Sequence, residues 1–345
     1  MRTSSVLVSL VSILALLPAI DPPRGYKPPR GYVAGRAEAS PVIDGALDDA
    51  IWAKAVWSEA FEDIEGDRQP KPRYRTRMKM AWDEKALYIA AELEEPDVWA
   101  TIATHDAVIF QDPDFEVFID PDDDSHLYGE LELNALNTTW DLLLTKPYKD
   151  GGRAINAWEI LGLKTAVRIN GTLNDPRDRD TGWTVEMAWP WEGLKELGAG
   201  VPPKEGDRWR INFSRVEWDT RIVDGKTVKI KGKPERNWVW SPQGVIDMHR
   251  PERWGFVEFT SKAVPSVATP RDPLQGDWDR LHDFYYAQKS FQGRMKRYGS
   301  LQELGWTEGV LPRLEMTASG WEASLERGGQ RLSLCDDARK RIGKK

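Results

Sequence analysis

The alternation of apolar and polar residues within short segments is the feature that most constrains this fold. In residues 77–82, Met78, Met80 and Trp82 occupy every second position. A period of two residues is that of a β-strand with one buried face. Many such segments, each followed by turn-forming residues, are typical of stacked antiparallel sheets. We therefore predict a mostly β protein, a two-layer antiparallel β-sandwich of the immunoglobulin-like or jelly-roll-like kind.

Turn and helix signals divide this predicted sandwich. Asp224 and Gly225 both tolerate positive φ and predict a two-residue hairpin. Residues 48–52 predict one capped helical turn, and Pro190 begins a second helical segment at 191–197. The predicted strands are 42–43, 77–82, 86–93, 114–120, 128–134, 138–145, 163–169, 183–189, 209–218, 221–223, 226–228, 238–240 and 254–259.

The period changes towards the C-terminus. Leu281, Phe284, Tyr285, Gln288 and Phe291 recur at helical spacing and predict a helix over 279–297. Short strands follow at 314–317, 320–325 and 332–335, and the basic residues 339–345 are expected to fray. We therefore predict a small α+β appendage over 274–345, joined by a linker at 261–273 to a sandwich over 33–260.

The N-terminus predicts export. Arg2 precedes an apolar stretch, 6–17, which is too short to span a bilayer, so residues 1–20 are interpreted as a signal peptide. The cleavage motif is poor, which leaves an uncleaved anchor as the alternative. Residues 21–32 contain a tandem Pro-Pro-Arg-Gly-Tyr repeat, a semi-extended leader that could lie along the sandwich through its tyrosines. A secreted or periplasmic location follows.

Composition narrows the partners. The formal net charge of −7 argues against a phosphate backbone as partner. A single cysteine, Cys335, excludes an intramolecular disulfide and a cysteine-based zinc site. The 17 tryptophans offer flat apolar faces on which a sugar ring could stack, although packing in a β core is the alternative for each of them.

Five segments in fixed order carry a resemblance to a known family. They are 42–52 (VIDGxLDxxxW), 82–89 (WDxxxLYI), 115–121 (FEVFIDP), 182–191 (GWTVExAxPW) and 250–256 (RPERWGF). Over roughly 33–259 the chain resembles the family 9 carbohydrate-binding module, of the DOMON-like β-sandwich superfamily. The resemblance implies a sandwich, often attached to secreted glycoside hydrolases, that holds the end of a sugar chain between aromatic side chains. It also implies that structural calcium is common.

Carried over position by position, the family's binding site matches this chain in part. The first stacking tryptophan falls at Phe110, which keeps a ring, and the second falls near Met248, which does not. A carboxylate that hydrogen-bonds the sugar matches Glu116. An arginine on the next strand falls at Glu132, which reverses the charge.

Neighbouring residues offer substitutes. Amide and imidazole groups supply donors and acceptors that suit vicinal hydroxyls, and indole rings can stack. Core packing remains the alternative for the tryptophans, and a local turn contact remains the alternative for the histidine. In our prediction Phe110 and Trp140 stack on the sugar, with Glu116, Asn137 and His249 as hydrogen-bond partners. The full predicted ligand set is Phe110, Glu116, Asn134, Asn137, Trp140, Trp240, Met248 and His249.

An acidic segment follows the predicted strand at 114–120. Asp120, Asp122 and Asp124 could supply hard oxygen ligands to calcium. The EF-hand pattern fails, because the sixth position is not glycine and Leu131 holds the twelfth. A solvated acidic loop is the alternative, and we expect no required cofactor.

The function predicted from these patterns is non-catalytic carbohydrate binding by an exported protein, in polysaccharide recognition or catabolism. No catalytic motif is present, and the acidic cluster does not single out a glycosidase pair. The expected partner is an oligo- or polysaccharide, with no nucleic acid and no membrane after signal removal. One alternative is a haem-b-binding sandwich with Met248 and His249 near the iron. Another is an interaction module of a glycoside hydrolase system, docking through the helix at 279–297.

Overall fold

A computed structural model describes residues 27–262 and 272–344. The predicted signal peptide, half of the leader and most of the linker lie outside the described residues. The helices are α1 Ala50–Lys54, α2 Trp191–Leu194 and α3 Gln275–Met295. The strands are β1 Gly31–Arg36, β2 Glu62–Asp63, β3 Thr76–Trp82, β4 Ala86–Glu94, β5 Asp114–Asp120, β6 Tyr128–Asn134, β7 Thr139–Leu144, β8 Ala154–Ile155, β9 Lys164–Asn170, β10 Gly182–Pro190, β11 Arg208–Glu217, β12 Thr220–Val223, β13 Lys226–Lys229, β14 Arg236–Val239, β15 Gly255–Thr260, β16 Arg313–Met316, β17 Trp321–Arg327, β18 Gln330–Cys335 and β19 Lys340–Lys344.

The main sheet is continuous and curled. Within the described residues its strand order is β8-β7-β6-β5-β11-β15-β1-β3-β4-β10-β9, with β14 beside β11 and β2 beside β14. Strand β1 is parallel to both of its neighbours, β15 and β3. The mostly β fold is therefore confirmed, whereas the prediction of a purely antiparallel sandwich is wrong at β1. The two halves belong to one continuous sheet.

Strand β1 begins inside the segment predicted to be a semi-extended leader that could lie along the sandwich through its tyrosines. The Tyr32 side chain is buried, and its hydroxyl donates to the carbonyl of Val56 at 2.7 Å and accepts the N–H of Met80 at 3.0 Å. Proline and glycine upstream hide this strand from an analysis of local pattern. Among the described residues, the first strand of the sheet begins at Gly31.

Both halves of the sheet share one core. Met80 and Ile89 from β3 and β4 belong to the same buried cluster as Val117, Leu131 and Ile211 from β5, β6 and β11. Because side chains alternate along a strand, the residues between these apolar ones face the other side of β5, β6 and β11. That second face carries the candidate site.

Local predictions succeed where turn chemistry is strong. Strands β3 and β4 form the predicted hairpin, as do β12 and β13, where Asp224 and Gly225 both have positive φ. Residues 42–43 do not form a strand. The N–H groups of Asp44 and Gly45 instead donate to the Glu186 carboxylate of β10, which also accepts the indole N–H of Trp52.

The C-terminal residues form a helix packed on a four-stranded antiparallel sheet. Trp278, Leu281 and Phe284 of α3 share a buried cluster with Trp321 and Leu332. The apolar face of α3 is thus covered by its own chain, which leaves the predicted role of α3 in docking a partner without support. Among the described residues no helix is long and apolar enough to cross a membrane.

The basic C-terminal segment is ordered, contrary to the expected fraying. Residues 340–344 form β19 along β18. The buried Lys340 places its ammonium nitrogen 2.5 Å from an Asp123 carboxylate oxygen, and its N–H donates to the carbonyl of Asp124. These contacts are distant in sequence, so composition could not reveal them.

Candidate functional site

Strand register brings carboxylates together on the second face of the sheet. Glu116 of β5 lies directly opposite Glu132 of β6 and, on its other side, opposite Ser214 of β11. Two residues further along β5, on the same face, Phe118 lies opposite Glu130. Like charges that face each other across a strand pair destabilise a sheet, so this arrangement is not explained by stability.

A cavity of about 220 Å³ lies above these rows. It is closed by the residues before β5 and by two segments around β14. Of the eight predicted ligand residues, Phe110, Glu116, Met248 and His249 line it. The full lining is Ile64, Phe110, Glu116, Phe118, Glu130, Glu132, Val216, Glu235, Asn237, Ile246, Asp247, Met248 and His249.

The other four predicted residues do not line this cavity. Trp240 is fully buried in the main core, and Asn134 is fully buried with its amide donating to the Ile102 carbonyl and the Asp112 carboxylate. Asn137 is a turn residue with φ of 60°, and Trp140 packs beside the buried cluster that contains Phe118. Local sequence indicates side chains of a suitable type but not the face of the sheet on which they lie, so these four are not part of the cavity.

Phe110 is held at the mouth of the cavity by its backbone. It lies in a short 3₁₀ helix, Ile109–Gln111, and its N–H donates to Glu132 Oε2 at 2.8 Å. Its carbonyl accepts the indole N–H of Trp218 at 3.1 Å, and its half-buried ring packs against the cluster of Trp99, Val216 and Trp218. One face of an aromatic ring is thereby fixed beside the carboxylates.

The carboxyl groups of the cavity are poorly solvated. Burial raises the pKa of Glu116 to about 7, although a hydrogen bond with Ser214 opposes the shift. Burial and the neighbouring Glu116 raise the pKa of Glu130 and of Glu132 well above the ordinary range. Glu130 Oε2 is buried without a hydrogen-bond partner. The described lining contains no lysine or arginine, so no basic side chain of the cavity favours the ionised form of these carboxyl groups.

Glutamine in place of Glu116 is expected to change how stability depends on pH. In the folded protein the Glu116 carboxyl holds its proton to about pH 7, against an ordinary value of 4.5, so its contribution to stability falls as pH rises between these values. Across that window the wild type loses about 3 kcal/mol that Glu116→Gln does not lose. Urea unfolding at pH 4.5, 6 and 8 measures the difference. Parallel profiles for the two proteins would contradict it, and Glu308→Gln on the surface is the control.

His249 closes the cavity as a neutral ring. Burial lowers its pKa to about 4. Its Nδ1 lies 2.9 Å from Tyr128 Oη, and its Nε2 lies 4.0 Å from Glu130 Oε2. The cavity of about 220 Å³ is smaller than the roughly 300–1,000 Å³ typical of sites for drug-sized ligands and is lined by carboxyl groups, so nothing here favours the haem alternative.

The lining residues that the predicted ligand set missed include Glu130, Glu235, Asn237, Ile246 and Asp247. A signal existed for Glu130, because residues 128–134 alternate and place it on the same face as Glu132. Pairing of β5 with β6 then brings both beside Glu116. The other four lie on β14 or on the segments flanking it, whose position depends on long-range packing.

The acidic segment after β5 forms a separate cluster. Carboxylate oxygens of Asp120, Asp122 and Asp124 all lie within 4.8 Å of one another, and the buried Oδ1 of Asp120 has no hydrogen-bond partner. Burial and the neighbouring aspartates raise the pKa of Asp120 well above its usual range. Arg339 contacts Asp124 at 2.8 Å, so part of the charge is already balanced. The three carboxylates fit calcium in donor type, and calcium here stays a prediction.

Calcium is expected to stabilise the protein through this cluster. At a hundredfold excess of free Ca²⁺ over its Kd, binding adds about 3 kcal/mol to the free energy of unfolding. Thermal unfolding after EDTA treatment, with and without added Ca²⁺, measures the shift in Tm. Asp122→Asn should abolish the shift, whereas the exposed control Asp178→Asn should keep it. An unchanged Tm of the wild-type protein on addition of Ca²⁺ would contradict this prediction.

Comparison with known families decides the relationship of the chain. The model of the family described as carbohydrate family 9 binding domain-like matches residues 43–260, more than half of the 345 residues. The chain belongs to this family. The family 9 region includes β2 to β15 but not β1, which completes the sheet from outside it. The DOMON-like superfamily placement stays a prediction.

Solved structures show distant similarity. A family 9 carbohydrate binding module from Caldicellulosiruptor kristjanssonii in complex with cellotriose is 18% identical, covers 70% of this chain and 99% of that chain, and has a TM-score of 0.45. Its complex with glucose is 18% identical over 68% and 99%, with a TM-score of 0.44. A Bacteroides uniformis protein described as carbohydrate-binding is 17% identical over 66% and 99%, with a TM-score of 0.47. A search of curated proteins finds no significant match.

Proposed function

We propose that this protein binds carbohydrate without catalysing a reaction, and that the acidic cavity holds the sugar. The main support for the proposal is that four residues predicted from the sequence to bind a sugar lie around the same cavity. Phe110, Glu116, Met248 and His249, chosen from the sequence, line one cavity. Membership of a family of carbohydrate-binding modules supports the same function.

The cavity suits a single sugar residue. Its volume of about 220 Å³ is below the roughly 300–1,000 Å³ typical of drug-sized ligands. The ring of Phe110 offers an apolar face for the C–H groups of a pyranose. Glu116, Glu130 and Glu132 supply acceptors for hydroxyl protons, and Asn237 supplies both donor and acceptor. We therefore expect a terminal residue to be bound and the rest of the chain to lie outside.

The carboxyl groups of the cavity favour an amino sugar. Three buried glutamates surround the space, and the described lining has no basic side chain that favours their ionised form. An ammonium group brings three donors and a positive charge that lowers the pKa of neighbouring carboxyl groups, and its hydrogen bonds to the carboxylates so formed are about twice as strong as neutral ones. We infer that a sugar carrying a free amine binds better than its hydroxyl or acetamido counterpart.

Substitution of the cavity residues tests the function. Phe110→Ala removes the stacking face and Glu116→Ala removes a central acceptor, so each is expected to weaken sugar binding about tenfold or more. A glycan array identifies ligands, and titration calorimetry measures Kd. Trp57→Ala, a half-buried ring that contacts Arg77 and Lys79 outside the cavity, is the matched control. Unchanged Kd values in both cavity variants would refute the site.

A ligand series tests the charge preference in the same experiment. Cellobiose, di-glucosamine and di-N-acetylglucosamine differ only at C2. We expect the free amine to bind about tenfold more tightly than the other two, which corresponds to about 1.4 kcal/mol. Equal affinities would remove the amino-sugar preference and leave carbohydrate binding intact.

We also propose that the protein is exported and acts in polysaccharide recognition or catabolism. The apolar segment 6–17 after Arg2 supports export. Fractionation of the producing cells followed by N-terminal sequencing would test this. A cytoplasmic protein that keeps residues 1–20 would overturn it.

A further inference from the structure

A second group of titratable side chains flanks β7 and shares no residue with the cavity. His105 Nε2 lies 3.2 Å from Glu159 Oε1, 3.3 Å from Asp106 Oδ1 and 3.9 Å from Asp141 Oδ1. All four donor atoms lie within 4.8 Å of one another. In a tetrahedral site with bonds of about 2.0–2.2 Å, ligand atoms lie about 3.3–3.6 Å apart. The observed spacing is close to that geometry.

The histidine is oriented as a metal ligand would be. His105 Nδ1 lies 2.9 Å from the carbonyl oxygen of Thr139. A carbonyl only accepts, so Nδ1 carries the hydrogen and the lone pair of the neutral ring lies on Nε2. A backbone carbonyl that fixes the tautomer in this way is the usual support for a metal-bound histidine.

Asp141 supplies the independent sign that something is missing from this cluster. Its side chain is only 2% exposed. Its Oδ2 accepts the N–H of Ile160 at 2.6 Å, but its buried Oδ1 has no hydrogen-bond partner. Asp106 Oδ1 is likewise buried without a partner. A protonated His105 has one Nε2–H and cannot satisfy three carboxylates, whereas a cation contacts all of them.

We propose that His105, Asp106, Asp141 and Glu159 bind one divalent transition metal ion, with zinc as the representative. One imidazole nitrogen with carboxylate oxygens suits zinc or manganese, whereas calcium prefers oxygen ligands alone. His105 and Glu159 are 49% and 61% exposed, so the ion reaches the site from solvent. The ion joins β7 and the segment before β9 to the turn that leads into Phe110.

Metal titration tests the site in the full chain. Protein dialysed against a chelator is titrated with ZnCl2 by calorimetry, and a separate metal-free sample is titrated with Co²⁺ as a spectroscopic probe. We expect one ion per chain and the strong visible absorption of tetrahedral cobalt. His105→Ala and Asp141→Asn should each lower zinc affinity at least about tenfold, because each removes a ligand. His126→Ala, which removes a histidine that contacts Asp337, should leave affinity unchanged.

Two outcomes overturn the proposal. One is that the wild-type protein binds no zinc when ZnCl2 is present at 100 times the protein concentration. The other is zinc binding that both ligand variants keep with unchanged affinity. Because His105 is about half exposed, His105→Ala is expected to fold, and circular dichroism checks Asp141→Asn for the same property. If Asp141→Asn does not fold, His105→Ala alone decides.

Discussion

Methionine in place of Arg215 is expected to lower the free energy of unfolding by about 3–5 kcal/mol. The Arg215 side chain is fully buried on β11, with Nη2 2.6 Å from Glu95 Oε2 and 2.7 Å from Glu217 Oε2. Its Nη1 also donates to the carbonyl of Glu94 at 2.8 Å. Removal of the guanidinium leaves the buried Glu95 without its cation and leaves Glu217 with the partly exposed Arg73, 3.1 Å away, as its remaining one.

Arg215→Met is also expected to change how the free energy of unfolding depends on pH. Burial and Glu217 already raise the pKa of Glu95 to about 9, against the lowering effect of Arg215. Without Arg215 the folded state holds the Glu95 proton to still higher pH, so the stability of the variant goes on falling above about pH 9, where the contribution of Glu95 in the wild type levels off.

Chemical denaturation of both proteins at several pH values measures the effect. Arg177→Met is the matched control, because Arg177 is 84% exposed and its pair with Asp175 is on the surface. We expect that control to change stability by less than about 1 kcal/mol. A loss of similar size in the two variants would contradict the role assigned to Arg215.

Asparagine in place of Asp150 is expected to separate the C-terminal unit, α3 with strands β16 to β19, from the main sheet. We expect the free energy of unfolding to fall by about 3–5 kcal/mol. The Asp150 side chain is fully buried, 2.7 Å from Lys149 Nζ and 2.8 Å from Lys289 Nζ of α3. It also accepts the hydroxyl of Tyr285 at 2.6 Å. Asparagine leaves two ammonium groups at this interface without an anion.

Acid should reproduce part of this effect in the wild type. Burial alone would raise the pKa of Asp150, but Lys149 and Lys289 hold it below its usual value. A carboxyl group with a lowered pKa stabilises the folded state above its unfolded pKa, and that contribution is lost as pH falls through the folded value.

Limited proteolysis should release a C-terminal fragment from Asp150→Asn at neutral pH but not from Asp178→Asn. Equal resistance of the two variants would show that Asp150 does not hold the interface.

Sequence reasoning worked where the information was local. The alternation in 77–82 and 114–120 gave strands close to β3 and β5, and Asp224 with Gly225 gave a hairpin. It failed at β1, because a parallel strand depends on partners far along the chain.

The candidate site shows the same division. Phe110 and Glu116 were placed by a resemblance that itself encodes three-dimensional position. Trp240 and Asn134 were chosen by chemistry alone, and they lie in buried contacts. Lys340 illustrates the limit most clearly, because its contact with Asp123 joins residues more than two hundred positions apart.

The position of β1 has a practical consequence for anyone who expresses this protein in pieces. Residues 31–36 are the only described strand that joins β15 to β3. They therefore form the seam, the strand that connects the half of the sheet ending in β15 to the half beginning with β3. A recombinant fragment cut at the family boundary, residue 43, would open that seam and expose two unpaired strand edges. The smallest fragment that can be trusted in a binding assay therefore begins upstream of Gly31.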